Sequence, residues 1–585
     1  MIKIKSSKYI WIVALVIGVL VGDFTFNNTE MGVYESYPRS FLDDGDLNIL
    51  NQIFYSDDKK MVSPTGYYYT HHNYGSALYT IPILLYSRII GKLMGLEHDG
   101  INTGERGNRK NLKVFNYRFD SLEFFGSFYL AVGVFLLTLV SLFSLYKNFL
   151  KTFLKENKNH DLYRNHIIVL LFSGPLTYYL FWAQSTPNLL IFIPMGLMFY
   201  FSRKLESLNA NLYLGVSFGL GFITRVDFSL YGLFIILWWI EYKPSLRYYL
   251  AQALGLFLSV FPFVIYEINR LGEFSFGYFN TFYLNWINVI DFYFSPYRGV
   301  LISHPIVIVQ IFLGLFILLR EGKSHWSKWK RELFVCLTIL ILKSLLLSLT
   351  YSHGGGVLGP RQLLQDVVLL SFFTSIYSFE YKQLRLLFVL AFIYNIMLSL
   401  VYAHLDLYGL NLFNFGESYF DFYHNYITNI GNFLTKISET LNIQNLYNSI
   451  VVSIPIFILM FMIRNKKEKL VAPLVISLMI LNMSIIGIDT VSNKEKLSKY
   501  EKTSNSLKTL MYHENIGSMI DRIDYLNSMG RFTEAKEFIK IVVRYHNEVK
   551  DKSFQNTTNK SMWGYFPNIS YDGHTNQLQA IIPNE

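Results

Sequence analysis

Cysteine is nearly missing from this chain: 585 residues carry one thiol, Cys336. A single thiol excludes an internal disulfide framework and a cysteine-based metal centre. Its place in an apolar run marks it as a small core residue. Charge is scarce too. Only 16% of residues are charged, where a soluble globular chain carries about a quarter. With 52% hydrophobic and 17% aromatic residues and a mean hydropathy of +0.27, one buried core cannot account for the apolar content. The class is an all-α polytopic membrane protein in contact with the lipid bilayer. The formal charge of +10 would suggest nucleic acid in a soluble chain. Here it is expected to sort into cytoplasmic turns, and no nucleic-acid partner is expected.

A cleavage site is also lacking. The apolar run Tyr9 to Val21 follows Lys3, Lys5 and Lys8, but no A-x-A-like sequence ends it. It reads as a retained first span with the N-terminus inside. Further spans are expected at Leu122–Tyr146, His166–Ala183, Asn188–Phe201, Leu212–Thr224, Phe228–Ile240, Tyr248–Ile268, Leu301–Leu319, Leu333–Thr350, Leu363–Phe379, Leu386–Tyr402, Ser449–Ile463 and Val471–Ile488. That makes about thirteen transmembrane helices by the length criterion.

The segment Gly75–Gly95 is long enough to cross but is interrupted by Pro82, Ser87, Arg88 and Lys92. Placed as an interfacial helix instead, it leaves every basic turn on one side: Lys147 to Arg164, Arg203 and Lys204, Lys243 and Arg247, Arg320 to Arg331, Lys382 and Arg385, and Arg464 to Lys469. That arrangement satisfies the positive-inside rule. It makes 23–119 a large first periplasmic loop of a transmembrane domain 1–488. The remainder, 489–585, reads as a small soluble periplasmic tail. Within it, Tyr525 to Glu548 resembles one tetratricopeptide unit, but one unit cannot form a solenoid.

The chemistry-bearing stretches lie in loops on the outer side. Asp43, Asp44 and Asp46 crowd together after the first span. Neighbouring carboxylates repel, which raises a pKa unless a cation intervenes, and a carboxylate can act as a general base. The Asp44-x-Asp46 spacing also suits a divalent cation, Mg²⁺ or Mn²⁺, through hard oxygen ligands. The bland alternative is a solvated acidic turn. His71 and His72 adjoin the interfacial segment; a hydrogen bond to a substrate and a structural role stand level. Arg225 and Asp227 fall between two spans, as a local ion pair or a functional one. Arg298 and His304 flank the start of the Leu301–Leu319 span. His353, three consecutive glycines and Gly359-Pro360-Arg361 precede Leu363–Phe379. Bare backbone, a helix start and an arginine together suit a phosphate.

The first outer loop with paired acids, the interfacial segment, the S-P-x-R-G stretch from Ser295 ending in Pro305, and the G-G-x-x-x-G-P-R stretch ending at Arg361 resemble bacterial members of the GT-C class of membrane glycosyltransferases. These are the relatives of protein O-mannosyltransferases and aminoarabinose transferases. The resemblance covers Met1 to Ile488. It implies a GT-C-like bundle, a polyprenyl-phosphate sugar donor, and inverting transfer to a lipid, glycan or protein acceptor at the periplasmic face of the bacterial inner membrane. It implies Asp44 or Asp43 as base, with Arg298 and Arg361 on the donor phosphate. The family's acidic pair reads Asp-Glu, whereas this chain has Asp43-Asp44-Gly45-Asp46. Two other readings remain: a lipid or solute transporter, which would place charges in mid-span beyond Arg225, Asp227 and Lys343, and a scaffold presenting the tail.

Overall fold

The computed structural model describes residues 29–47, 49, 61–62, 68–69, 74–93, 95, 122–153, 176–181, 186–271, 292–294, 300, 305–320, 328–348, 361–404 and 471–492. The expected spans 9–21 and 449–463, and the tail beyond 492, lie outside the described residues. What is described is helical, apart from a two-residue ribbon pairing Met61–Val62 with Tyr68–Tyr69.

The described helices fall in or beside the expected segments with shifted ends, and of His166–Ala183 only Leu176–Phe181 is described. In chain order they are α1 (Thr29–Asp44), α2 (Ala77–Leu93), α3 (Leu122–Phe153), α4 (Leu176–Phe181), α5 (Thr186–Leu190), α6 (Phe192–Phe201), α7 (Leu208–Thr224), α8 (Gly232–Tyr242), α9 (Leu246–Leu271), α10 (Pro305–Leu319), α11 (Lys328–Ser348), α12 (Leu364–Glu380), α13 (Lys382–His404) and α14 (Val471–Ser492). The sequence segment Asn188–Phe201 divides at Ile191 into α5 and α6. Pro194 explains the break, because it has no N–H to donate to the carbonyl four residues back. The expected Phe228–Ile240 span begins as a 3₁₀ turn, Val226–Tyr231, before α8. Three helix ends have backbone signatures. Gly45 (φ +72°) follows α1 and Gly95 (φ +78°) follows α2. At α8, Lys243 takes a left-handed conformation ahead of Pro244, which cannot continue the helix.

Two helices, Leu246–Arg270 and Val471–Ser492, are long and apolar enough to cross a membrane. At 1.5 Å per residue they reach about 37 and 33 Å, more than the roughly 30 Å hydrocarbon thickness. A core helix of a soluble protein is mostly covered, whereas only 28% of the apolar window of each is buried. On α9 the uncovered residues form a stripe of helical period: Leu246, Leu250, Leu254, Phe257, Phe261 and Ile268. The opposite face carries Gln252, Gly255 and Ser259 against protein. Apolar side chains outward and small or polar ones inward fit a lipid surround, since a stripe of this extent in water marks an interaction surface.

That inward face makes the tightest junction in the fold. A Cβ on Gly215 of α7 would fall 2.0 Å from the Gln252 carbonyl oxygen of α9; one on Gly219 would fall 1.9 Å from Ser259 Oγ; one on Gly255 would fall 2.1 Å from the Leu212 carbonyl oxygen. Gly215-x-x-x-Gly219 on α7 therefore faces Gly255-x-x-x-Ser259 on α9, the small-residue spacing that lets helix backbones touch. Residue numbers rise together across this contact, so α7 and α9 run parallel, with α8 returning between them. Around the pair, α2 packs on α1 and α3, α6 on α3 and α7, and α11 on α8, α10 and α12.

Candidate functional site

The acidic turn is the end of α1. Asp43 and Asp44 occupy the last turn, which contains no basic residue. A carboxylate there opposes the helix dipole, at a cost of about 0.3–1 kcal/mol each, so these acids are not placed for helix stability. Gly45 then reverses the chain, donating its N–H to the Phe41 carbonyl at 3.2 Å. The three acids reach three different settings. Asp43 pairs with Arg88 of α2 at 2.6 Å, so a cation does stand within the cluster. Asp46 is fully buried and accepts a hydrogen bond from Ser40 Oγ at 2.9 Å. Asp44 is exposed. With one carboxylate in solvent and the other shut away, Asp44 and Asp46 do not fit the shared metal site that their spacing suggested. Among the described residues, no group of three or more His, Cys, Asp or Glu gathers as a metal set.

Residues far along the chain hold this turn. Asp489 of α14, wholly buried, accepts the Leu47 N–H at 2.6 Å. Gly45 lies against Ser492 and Ile488. The expected tail boundary at Asp489 therefore falls inside a helix that continues to Ser492 and packs on the acidic turn. Beside it, Asn269 of α9 donates to Thr490 Oγ1 at 2.9 Å, and Tyr74 donates to Asn482 at 2.8 Å. Burial first, then the Glu267 and Asp489 carboxylates, push the Tyr74 hydroxyl well above the ordinary phenol range. On the other side of α1, Glu35, Arg39 and Ser127 of α3 form a buried triangle: Arg39 Nε to Glu35 at 2.9 Å, Arg39 Nη2 to Ser127 Oγ at 2.8 Å, and Ser127 Oγ to Glu35 at 3.0 Å.

A second cluster lies where α7 gives way to the 3₁₀ turn. Arg225 grips Asp227 with two parallel hydrogen bonds, Nε to Oδ1 at 2.9 Å and Nη2 to Oδ2 at 2.8 Å, and also donates to Asn188. Lys343 of α11 stands 2.7 Å from Asp227 and 2.9 Å from Asp366 of α12. Tyr231 donates to the other Asp366 oxygen at 2.5 Å. Lys343 and Asp366 are each 1% exposed. Two cations and two carboxylates alternate, so the burial is charge-neutral, which is the condition under which buried ions are tolerated. Burial raises the Asp227 carboxyl, but Arg225 and Lys343 outweigh it and hold the group well below the usual carboxylate range. Arg225 and Asp227 are thus a local pair extended into a three-helix network. The Gly75 backbone packs on the Ile223 carbonyl at the end of α7, which ties the first loop to this cluster.

Of the expected site residues, Asp43, Asp44, Asp46 and Arg225 are placed as above. The Arg361 backbone opens the 3₁₀ turn Arg361–Leu363 that leads into α12. His71, His72, Arg298, His304 and His353 lie outside the described residues. The sequence showed Lys343 as a charge at membrane depth but neither Asp366, its partner, nor Asp489, which holds the acidic turn. Asp366 carried a usable signal, an acid five residues after Arg361 in an otherwise apolar run. Asp489 carried none.

Compared with protein-family models, curated proteins and solved structures, the chain matches none.

Proposed function

We propose that this chain is a multi-pass membrane glycosyltransferase that moves a sugar from a polyprenyl phosphate to an envelope acceptor on the periplasmic face. One observation carries the reading. The acids ending α1 are held in place against the helix dipole by α2 and α14 and both stay exposed, Asp43 in its ion pair with Arg88 and Asp44 beside it. In this reading Asp44 is the base. It takes the proton from an acceptor hydroxyl or amine as that atom attacks the anomeric carbon. The carbon–oxygen bond to the phosphate breaks, the polyprenyl phosphate leaves with the electron pair, and the anomeric centre inverts. Asp43, paired with Arg88, and Asp46, bonded to Ser40, hold the turn. Arg361 at the start of α12, together with Arg298, offsets the charge of the leaving phosphate.

A transporter reading calls for ions in mid-span. Of the Arg225–Asp227–Lys343–Asp366 network only Lys343 lies in a helix interior; Arg225 and Asp227 occupy the turn between α7 and α8 and Asp366 the first turn of α12, which favours a site near the membrane surface. The test is mass spectrometry of envelope glycans and lipids from cells with the chain, without it, and with Asp44→Asn. Loss of one glycan species in the last two supports the proposal. Transfer that survives Asp43→Asn, Asp44→Asn and Asp46→Asn alike ends it.

A further inference from the structure

The start of α12 carries polar groups that the fold does not use. Gln365 is 0% exposed, and neither its Oε1 nor its Nε2 has a hydrogen-bond partner. Gln362, one turn earlier, buries its Oε1 with no partner either. Leaving such groups unpaired is destabilising, because each gives up its hydrogen bonds to water on folding. Buried polar side chains nearby keep at least one partner: Gln310 donates to Ser371 at 2.8 Å although its Oε1 has none, and Asp366 takes Tyr231 and the Lys343 ion pair, whereas Gln365 has neither atom paired. The two carboxamides are three residues apart and so lie on one helix face. A helical side chain leans toward the N-terminal turn preceding it, which aims Gln365 at the lead-in turn Arg361–Leu363. The N-cap residue of α12 is Leu363, which provides no side-chain cap, where Ser, Thr, Asp or Asn would normally satisfy the first N–H groups.

We infer that the N-terminal turn of α12 is a subsite for a hydroxylated head group, in which the carboxamides of Gln362 and Gln365 exchange hydrogen bonds with neighbouring hydroxyls of a sugar. A carboxamide both donates and accepts, as a hydroxyl does, so vicinal hydroxyls satisfy both atoms of Gln365 and leave an acceptor contact for Gln362. The uncapped N–H groups at the same turn suit an oxygen-rich anion joined to that sugar. The assignment to the donor sugar rests on the lipid-phosphate-sugar reading above, and the glutamines become the groups that read the sugar's hydroxyl pattern. A site built to pair with hydroxyls rejects ligands that lack them, because its own polar atoms then stay unpaired.

The experiment uses the full chain in lipid nanodiscs, with two probes: polyprenyl phosphate and polyprenyl-phosphoryl-mannose. The wild type is expected to hold the sugar-bearing lipid more tightly by about tenfold, the scale of one or two hydrogen bonds. Gln365→Met and Gln362→Met, close in volume, are expected to erase that preference while still binding bare polyprenyl phosphate. Without ligand, Gln365→Met is expected to melt at a higher temperature than the wild type, since it removes an unpaired buried group. Equal wild-type affinity for the two lipids overturns the subsite and leaves the lipid-phosphate reading standing. Binding of neither lipid overturns both. A lowered melting temperature for Gln365→Met also overturns the subsite, by showing that the carboxamide serves the fold itself.

Discussion

The two ends of the bundle handle charge differently. At the end where α6 meets α11, Glu332 is fully buried and both its oxygens are taken: Arg203 binds it through two nitrogens at 3.1 Å each, and Trp238 Nε1 donates at 2.9 Å. Next to it Arg331 pairs with Glu241 at 2.6 Å. This end gathers Arg203, Lys204, Lys243, Arg247 and Arg331, the basic turns that the positive-inside rule groups together. At the other end α1, α7, α11, α12 and α14 bring carboxylates together with Arg88, Arg225 and Lys343. There acids are left exposed at a helix end that disfavours them, and Gln365 leaves both carboxamide atoms unpaired, where the Arg203 end leaves single atoms such as Arg203 Nε and Asn211 Oδ1. A satisfied buried group serves the fold, and an unsatisfied one is carried at a cost to stability. The contrast separates an end that holds the bundle together from an end shaped to bind.

The contrast can be broken most sharply at Asp44. Asp44→Asn should lower glycan transfer about 100-fold or more, the scale of a lost general base, with the melting temperature unchanged. A parallel loss of folded protein would move Asp44 into the structural group. Next in size are the buried ions. Glu332→Ala strands Arg203 and Trp238, and Lys343→Met leaves Asp227 and Asp366 facing each other; each should cost about 3–5 kcal/mol in denaturant unfolding of the purified protein. Adding Asp366→Asn to Lys343→Met should recover part of that loss, because a neutral amide no longer repels Asp227.

A smaller effect is expected at the α7–α9 junction. Gly215→Ala drives a methyl group into the Gln252 carbonyl oxygen, which is backbone and cannot swing aside. The overpacking should cost about 1–3 kcal/mol, read as a lowered midpoint with little change at either charged end. The smallest effect is a pH effect. With the Asp227 carboxyl held below its ordinary range by Arg225 and Lys343, its contribution to stability is complete above about pH 4 and is lost as the pH falls further. Unfolding midpoints measured from neutral to acidic pH should show this slope, and Asp227→Asn should flatten it.

Much of the architecture is legible in the chain. Apolar runs bounded by basic turns locate the described helices, because an apolar segment withdrawn from water must satisfy its own backbone groups and does so as helix. The interrupted segment after Tyr74 forms α2, which packs one face on α1 and α3 while Leu85 and Ile89 face outward. The site was only half legible. A crowded acidic turn is visible in sequence, but its three carboxylates look equivalent there. Arg88 on α2, Ser40 one turn back, and Asp489 more than four hundred residues on make them different. The small-residue spacing of α7 was present but unremarked, and among the described residues it carries a backbone-to-backbone approach of α7 to α9.

The sequence by itself determined the all-helical class and where the described helices fall, because long apolar runs must satisfy their own backbone groups once they leave water. Only the tertiary structure decided which acid pairs with Arg88, that Lys343 lies between two aspartates, and that Gln365 is left without a partner. Helical spacing specifies which side of its own axis a residue faces, but not which other helix will be packed against that side.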